Sequence, residues 1–405
     1  MMRRTLRIRR ARGLNSILLG LLCLAAPCVR CAAQMEKPCL ADQKFATVGS
    51  LLETKDYSGA KSLLRGLESC SLLSPLQRFN VGWLYGKAHD STDALRIFKS
   101  VQADMPDRLT HGYAIALAEF ESAQYQAAVT TLIELRRKGV FDAKCADLLG
   151  VSYSKLGRYQ DAYAEMAENL HQNPSNPYAY FNLITLFVDT GELDKAAEVA
   201  DMAVDALSQN GEALFMRGSI ELSQSKAEEA YRDFASAAQL SPHAPDPPFF
   251  MALVDYRQSK FDEATQVLRN AISAGIVDSD LHYLLAECLI RMDEANAAAI
   301  LSELNEAIRL NPNSVSARVL RGERFLESGR PRDAIADLKL ARGLEPHSER
   351  DARNATYLLA RAYAAAGEKE EAKALFTQFS SRFTAGKTDT LDRLSDEKMQ
   401  AALHP

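Results

Sequence analysis

The chain has 405 residues, of which 47% are apolar and 25% charged, and this composition is typical of folded globular proteins. It carries 53 acidic against 48 basic residues, and the resulting net charge of −5 argues against nucleic acid or an anionic membrane surface as the main partner. Glycine and proline are sparse, with 20 and 14 residues, so low complexity and disorder do not account for the chain.

Residues 1–33 differ from the rest of the chain. They begin with six arginines, contain no acid, and continue with the apolar run Ile17–Ala26 and the small-residue stretch Cys31–Ala33. This order predicts a secretory signal peptide and therefore export to a periplasm or to the medium. The apolar run is shorter than the roughly 20 residues that span a bilayer. Because the segment is rich in arginine and free of acids, organelle import stays open as the alternative.

Removal of residues 1–33 would take away seven arginines and no acid, so the net charge of the mature chain would be −12. This acidic balance strengthens the argument against a nucleic-acid partner. No later segment is long and apolar enough to predict a transmembrane helix in the mature chain.

Small residues recur with a period of 34 in the rest of the chain. Alanine marks one series, and a second series of mostly small residues runs twelve residues ahead of it. Such a period at two fixed positions indicates stacked pairs of helices. The alanine series consists of Ala60, Ala94, Ala128, Ala162, Ala196, Ala230 and Ala264, with Ala298 at the next interval. The earlier series includes Gly82, Ala116, Gly150, Gly218, Ala252 and Ala286.

The period divides residues 41–382 into ten units, with a two-residue insertion after Ala264 and a four-residue insertion before the last unit. We expect local changes of pitch near 295–305 and 349–352. Residues 383–405 are expected to form a C-terminal tail or a capping helix, and the sequence leaves both open. The ten units are 41–74, 75–108, 109–142, 143–176, 177–210, 211–244, 245–278, 279–314, 315–348 and 353–382.

The units resemble the tetratricopeptide repeat. The clearest match is unit 143–176, which carries Leu149, Gly150, Tyr153, Gly157, Tyr159, Ala162 and Pro174 at the spacing of that pattern. The chain departs from the pattern at the fourth position of each unit, where the usual tryptophan is missing, and its single tryptophan is Trp83 at the ninth position. The resemblance implies an all-α fold, a right-handed α-solenoid of about ten antiparallel helix pairs. Gly157, Gly191, Gly329 and Gly367 follow first helices, where a left-handed cap is expected.

In the resembled family, one face of each first helix lines a concave groove that holds partner segments. Positions within a unit are counted from its first residue, so that the alanine series is position 20. Position 5, on the groove face, is aromatic in eight of the ten units, and positions 9 and 12 add further rings. The predicted groove residues are Phe45, Phe79, Trp83, Tyr113, Phe120, Phe181, Phe215, Phe249, Tyr283 and Tyr357.

An aromatic ring at position 5 also has a structural interpretation, because it can pack against the next repeat. The set Phe79, Trp83, Tyr113, Leu117 and Phe120 favours binding more strongly, since it concentrates large apolar side chains on one stretch of the predicted groove. Aromatic side chains supply much of the binding energy at protein interfaces. The expected partners are therefore proteins or peptides, with glycans as a second class because sugars stack on aromatic rings.

Four cysteines follow the predicted signal peptide, and two of them fall in the first unit. Cys39 precedes the first helix of that unit, and Cys70 lies near the end of its second helix. These two ends lie side by side in an antiparallel pair, so a disulfide between them is expected to be feasible in an oxidising compartment. Two free buried thiols are the alternative. Cys288 is expected to lie in the core of its helix pair.

No catalytic constellation is present in the sequence. The seven histidines are scattered, and none forms a metal-binding motif. Gly386–Thr388 lacks the preceding glycine and strand of a phosphate-binding loop. We therefore expect no enzyme activity, no cofactor and no metal. The predicted function is an exported scaffold that binds protein segments in its groove and serves envelope assembly or secretion, with an accessory role in polysaccharide binding or export as the alternative.

Overall fold

A computed structural model of the chain describes residues 41–105, 107–292, 297–344 and 349–382. These residues form twenty α-helices and contain no strand, so the predicted all-α class is confirmed. Consecutive helices pack as pairs, each a first helix followed by a second helix that runs back along it. The described helices fall into two compact units, which divide between Val199 and Ala200. Residues 1–33 and 383–405, the predicted signal peptide and tail, lie outside the described residues.

The first compact unit holds four complete helix pairs, a fifth first helix and the beginning of its partner. Its helices are α1 Ala41–Glu53, α2 Tyr57–Glu68, α3 Pro75–Lys87, α4 Ser91–Ser100, α5 Arg108–Glu121, α6 Tyr125–Arg137, α7 Ala143–Lys155, α8 Tyr159–Gln172, α9 Pro177–Thr190 and α10 Leu193–Ala206. Most first helices begin at an Asp, Asn or Ser whose side chain accepts a hydrogen bond from the first turn, as at Asp107 and Asp142.

The second compact unit begins within α10 and holds the remaining pairs. Its helices are α11 Gly211–Ser223, α12 Ala227–Leu240, α13 Asp246–Arg257, α14 Phe261–Ser273, α15 Ser279–Arg291, α16 Ala297–Leu310, α17 Val315–Glu327, α18 Pro331–Gly343, α19 Glu349–Ala366 and α20 Lys369–Arg382. None of the described helices in either unit is long and apolar enough to cross a bilayer.

The alanine series is the inner face of the second helices. Each alanine from Ala60 to Ala264 is at most 1% exposed. Ala298, at the next interval of 34, is exposed, and Ile300 takes the buried place instead. The physical reason is the two-residue insertion, which lengthens the connection before α16 and shifts the buried face of that helix by two residues.

The earlier series lets the two helices of a pair approach closely. A Cβ atom built on Gly82 would stand 2.5 Å from the ring of Phe98, and one on Gly218 would stand 2.9 Å from the ring of Phe234. Both distances are too short for two carbon atoms, so glycine leaves the space that the phenylalanine fills. The small residue on the first helix and the large residue on the second helix therefore pack as one complementary pair.

Every described connection from a first to a second helix passes through a left-handed residue at position 15. Gly157, Gly191, Gly329 and Gly367 have φ between 68° and 84°, which confirms the predicted caps. Five other units adopt the same conformation with a side chain in place. These residues are Lys55, His89, Ala123, Ser225 and Ser259, with φ between 59° and 64°.

The four-residue insertion before the last unit is absorbed within a helix. The first helix α19 begins at Glu349, four residues before the predicted start at Arg353, and has 18 residues where α17 has 13. The inserted residues therefore add about one N-terminal turn to α19.

The cysteines divide into two groups. Cys145 and Cys288 are free and buried, and Cys288 has no exposed surface, as expected for a core residue. Cys70 is disulfide-bonded. Cys39 lies outside the described residues, so the pairing of Cys39 with Cys70 stays a prediction.

Candidate functional site

The ten predicted groove residues lie at three depths. Tyr357 is exposed, and Phe45, Trp83, Tyr113 and Phe120 are half-buried. Exposure of the other five falls between 0% and 6%, so these rings offer almost no surface to a ligand. The five buried rings are Phe79, Phe181, Phe215, Phe249 and Tyr283.

The buried rings hold neighbouring helices together. The ring of Phe79 packs on Phe98 of α4 and on His111 of α5, with ring centroids 5.1 and 5.7 Å apart. His111 is itself buried, and its Nε2 atom lies 2.7 Å from the carbonyl oxygen of Phe98. Phe79 therefore bridges its own pair and the next one, as the structural interpretation of position 5 describes.

Trp83 marks the edge of this aromatic cluster. Its ring meets Phe79 and Phe98 edge-on, at centroid distances of 6.1 and 5.9 Å, and remains half-exposed. Aromatic side chains in such a position present apolar surface at little cost in conformational entropy, because their neighbours already fix them.

The α5 stripe consists of Tyr113, Leu117 and Phe120, which occupy one face of α5 at spacings of four and three residues. All three are half-buried and pack at the border of the core cluster between α5 and α7. Phe120 also contacts the ring of Tyr125, with centroids 5.3 Å apart. The stripe therefore offers partly exposed apolar surface on a supported and rigid helix.

A polar cluster lies next to the α5 stripe, on the neighbouring first helix α7. Asp147 accepts hydrogen bonds from Nδ2 of three asparagines, at 2.6 Å from Asn169, 3.0 Å from Asn176 and 3.3 Å from Asn182. These donors belong to α8, to the N-cap of α9 and to α9 itself. Three separate elements therefore hold one carboxylate, which we call the Asp147 cluster.

Burial governs the electrostatics of this region. It raises the pKa of the Asp147 carboxyl to about 6, although the three amide hydrogen bonds oppose the shift and Asp142 adds to it. Burial also raises the pKa of the Tyr113 hydroxyl, and Cys145 and Asp147 raise it further. Tyr113 and Asp147 therefore lie close enough to influence each other across the α5–α7 contact.

Asp147 stands at position 5, on the predicted groove face, but the sequence did not indicate the cluster around it. Asn169 belongs to a second helix and is 3% exposed, so the periodic pattern assigns it to the interior of the pair. Asn176 reads as an ordinary helix cap, and it does cap α9 through its side-chain oxygen. The available signal was a polar residue at two positions that are apolar in the other units, Asp147 at position 5 and Asn169 at position 27.

The first-helix face of the second compact unit differs, because its polar groups pair with one another. Tyr283 donates a hydrogen bond to Glu287 at 2.8 Å. Arg291 donates one from Nε to the hydroxyl oxygen of Tyr256 at 3.0 Å. These contacts satisfy the side chains within the protein.

Within the described ranges, no group of three histidine, cysteine or acidic residues could hold a metal ion. Burial raises the pKa of both free thiols, Cys145 and Cys288, to about 12, so neither is a thiolate at neutral pH. The described residues thus bring partly exposed apolar and polar side chains together on α3, α5, α7 and α9.

Comparison with known proteins identifies the repeat. A tetratricopeptide-repeat family model matches residues 148–211, 251–315 and 319–379. The DnaJ homolog subfamily C member 3 of Rattus norvegicus is 25% identical over 219 residues, which cover 53% of this chain and 39% of the relative. BBSome complex member BBS4 of Bos taurus is 23% identical over 189 residues, 46% of this chain and 36% of the relative. The chain thus spans well under half of these relatives.

Two solved structures are similar at low sequence identity. YrrB, a TPR protein with an unusual peptide-binding site, is 20% identical and covers 50% of this chain and 99% of its own, with a TM-score of 0.38. The APC/C hetero-tetramer Cut9–Hcn1 is 16% identical and covers 75% of this chain and 59% of its own, with a TM-score of 0.45.

Proposed function

Because this chain belongs to the tetratricopeptide-repeat family, we propose that it is a non-catalytic, exported scaffold that binds an extended segment of a partner protein on the first-helix face of α3 to α9. The fold accounts for interaction with other proteins. The choice of face rests on one observation, the partly exposed apolar surface of Trp83 and the α5 stripe. Exposed apolar surface of this kind is unfavourable in water, and binding of a partner that covers it is favourable because it removes that surface from water.

The support for this surface is what suits it to binding. The rings of Phe79 and Phe98 pack against Trp83 and hold it in place. The core cluster of α5 and α7 holds the α5 stripe in the same way. A partner therefore meets side chains that are already ordered, and less conformational entropy is lost on binding. The polar residues beside the stripe supply hydrogen-bonding groups for the main chain of an extended segment.

Export is supported by residues 1–33 and places the scaffold in the envelope or outside the cell, where it would serve assembly or secretion. The disulfide at Cys70 is consistent with an oxidising compartment. Fractionation of cells that express the full chain tests this part. We expect a mature protein that starts after Ala33, and an intact N-terminus in the cytoplasmic fraction would contradict export.

A matched pair of variants tests the binding face. Trp83→Ala/Phe120→Ala removes rings from the proposed face, and Tyr159→Ala/Tyr163→Ala removes two exposed rings from the second helix α8. Mature protein carrying each change is used to capture partners from envelope extract. We expect the first variant to lose its partners and the second to keep them. Equal loss in both, or no loss in the first, would contradict the assignment.

The polysaccharide alternative gains no support from the described surface.

A further inference from the structure

The Asp147 cluster contains a negative charge that the protein itself leaves without a counterion. Asp147 makes no ion pair with any residue in the described part of the chain, although exposed Lys144 lies three residues earlier on the same helix. All three hydrogen-bond donors are neutral amides. A partly buried carboxylate without a cation is costly, and its site gains free energy when a cation arrives.

The carboxylate is also fixed in position. Asn169 and Asn182 donate to Oδ1, and Asn176 donates to Oδ2, so both oxygens are oriented by elements other than α7. Asn169 also donates to the carbonyl oxygen of Ala143 at 3.2 Å, which ties it to the start of α7. A cationic group would thus find a preorganised acceptor and would not have to order it.

The surroundings favour an organic cation over a metal ion. Amide nitrogens surround Asp147 as donors, and a metal needs acceptors in those places. Tyr113 stands at the same position of the preceding unit as Asp147, on the first helix α5 that packs against α7. Ammonium and guanidinium groups combine well with a carboxylate and an aromatic ring.

We propose that Asp147, held by Asn169, Asn176 and Asn182, anchors a cationic group of the bound segment, either a Lys or Arg side chain or a free amino terminus. This inference rests on the proposed function, because it names the chemistry that the segment must carry beside the apolar residues that cover the α5 stripe.

The test begins with a library of random peptides with free amino termini, displayed on phage and selected on the mature protein. The selected peptides are synthesised, and their affinities are measured by fluorescence polarisation. Each is compared with an N-acetylated form and with a form in which every Lys or Arg is replaced by norleucine, so that the two sources of the cation are distinguished. We expect one of the two replacements to weaken binding at least tenfold.

Variants of the protein provide the second half of a double-mutant cycle with the peptide replacements. Asp147→Asn keeps the size of the side chain and should lower the affinity for the unmodified peptide at least tenfold. The cation-free peptide should bind the variant and the wild type with the same affinity. Asp161→Asn, an exposed carboxylate on α8, is the control and should change nothing. The peptide replacements measured on the wild type remain decisive even if Asp147→Asn proves unstable.

The outcomes separate the two proposals. If selected peptides need Trp83 and Phe120 but not a cation, or bind Asp147→Asn as tightly as the wild type, the inference is overturned and the proposed function stands. If the selected peptides are indifferent to Trp83→Ala/Phe120→Ala, or if none is enriched, the proposed function fails and the inference fails with it.

Discussion

The guanidinium of Arg321 donates two parallel hydrogen bonds to the carboxylate of Asp337, from Nε to Oδ2 at 2.6 Å and from Nη2 to Oδ1 at 2.7 Å. The same pair recurs in another unit, where Arg217 meets Asp233 at 2.6 and 2.9 Å. In both units, the arginine of the first helix also bonds the second helix of the preceding pair, at Asn305 or Asp201. A charged pair thus joins three helices in each of these two units.

Removal of the Asp337 carboxylate should be strongly destabilising. Asp337 is 4% exposed, and its loss would leave Arg318 and Arg321 partly buried without their acceptor. For Asp337→Ala we expect a loss of about 3 kcal/mol in the free energy of unfolding, measured by urea denaturation. Asp333→Ala removes an exposed pair with Arg330 and should cost less than about 1 kcal/mol. Similar losses of unfolding free energy in the two variants would show that the buried ion pair stabilises the fold no more than the exposed one.

The left-handed connections predict a gain in stability. Ala123 has a φ of 59°, which an L-residue adopts at a cost of roughly 1 kcal/mol and glycine adopts freely. Ala123→Gly should therefore raise the free energy of unfolding by about 1 kcal/mol, and Gly329→Ala should lower it by a similar amount. Gly49→Ala, in the interior of α1 with open space around it, should be neutral or stabilising. A destabilising Ala123→Gly would refute the explanation.

Two carboxylates, each with a buried oxygen, predict how stability depends on pH. Burial raises the pKa of Glu221 to about 7, with a further rise from Asp233, and burial raises the pKa of Asp255 to about 6. One oxygen of each has no hydrogen-bond partner. Because the folded pKa is above the unfolded value of 4.5 or 3.8, the stabilising contribution is complete below about pH 4 and is lost as the pH rises through the folded pKa.

We therefore expect Glu221→Gln and Asp255→Asn to stabilise the protein at pH 8 by on the order of 1 kcal/mol each. The advantage should shrink as the pH falls and disappear near pH 4, which thermal unfolding at several pH values would show. A gain that is equal at pH 4 and pH 8 would mean that ionisation is not its source.

The close packing of Gly82 and Phe98 predicts a compensating pair of substitutions. Gly82→Ala should lower the free energy of unfolding by about 1–3 kcal/mol, because the added methyl group overlaps the ring. In the background of Phe98→Leu, the same change should cost much less. The comparison of single and double variants by calorimetry measures this coupling, and additive effects would show that the ring does not fill the space that glycine leaves.

Periodicity predicted the helix pairs because one packing rule, a small residue facing a large one, repeats every 34 residues. It also located the two-residue insertion, which moves the buried position from Ala298 to Ile300. It also assigned Phe79 and Tyr113 to the same groove face but not to a depth. The depth of a ring depends on which side chains the neighbouring helices pack against it. Phe98 and His111 cover Phe79, whereas Tyr113 remains half-exposed.

The most direct test of the binding face is crosslinking in living cells. A photoreactive amino acid replaces Leu117 in the α5 stripe or, as a control, exposed Tyr159 on α8. The account predicts that Leu117 yields discrete crosslinked partners, that Trp83→Ala abolishes them and that Tyr159 yields none of them. The same partners captured equally from Tyr159, or no crosslink from Leu117, would contradict it.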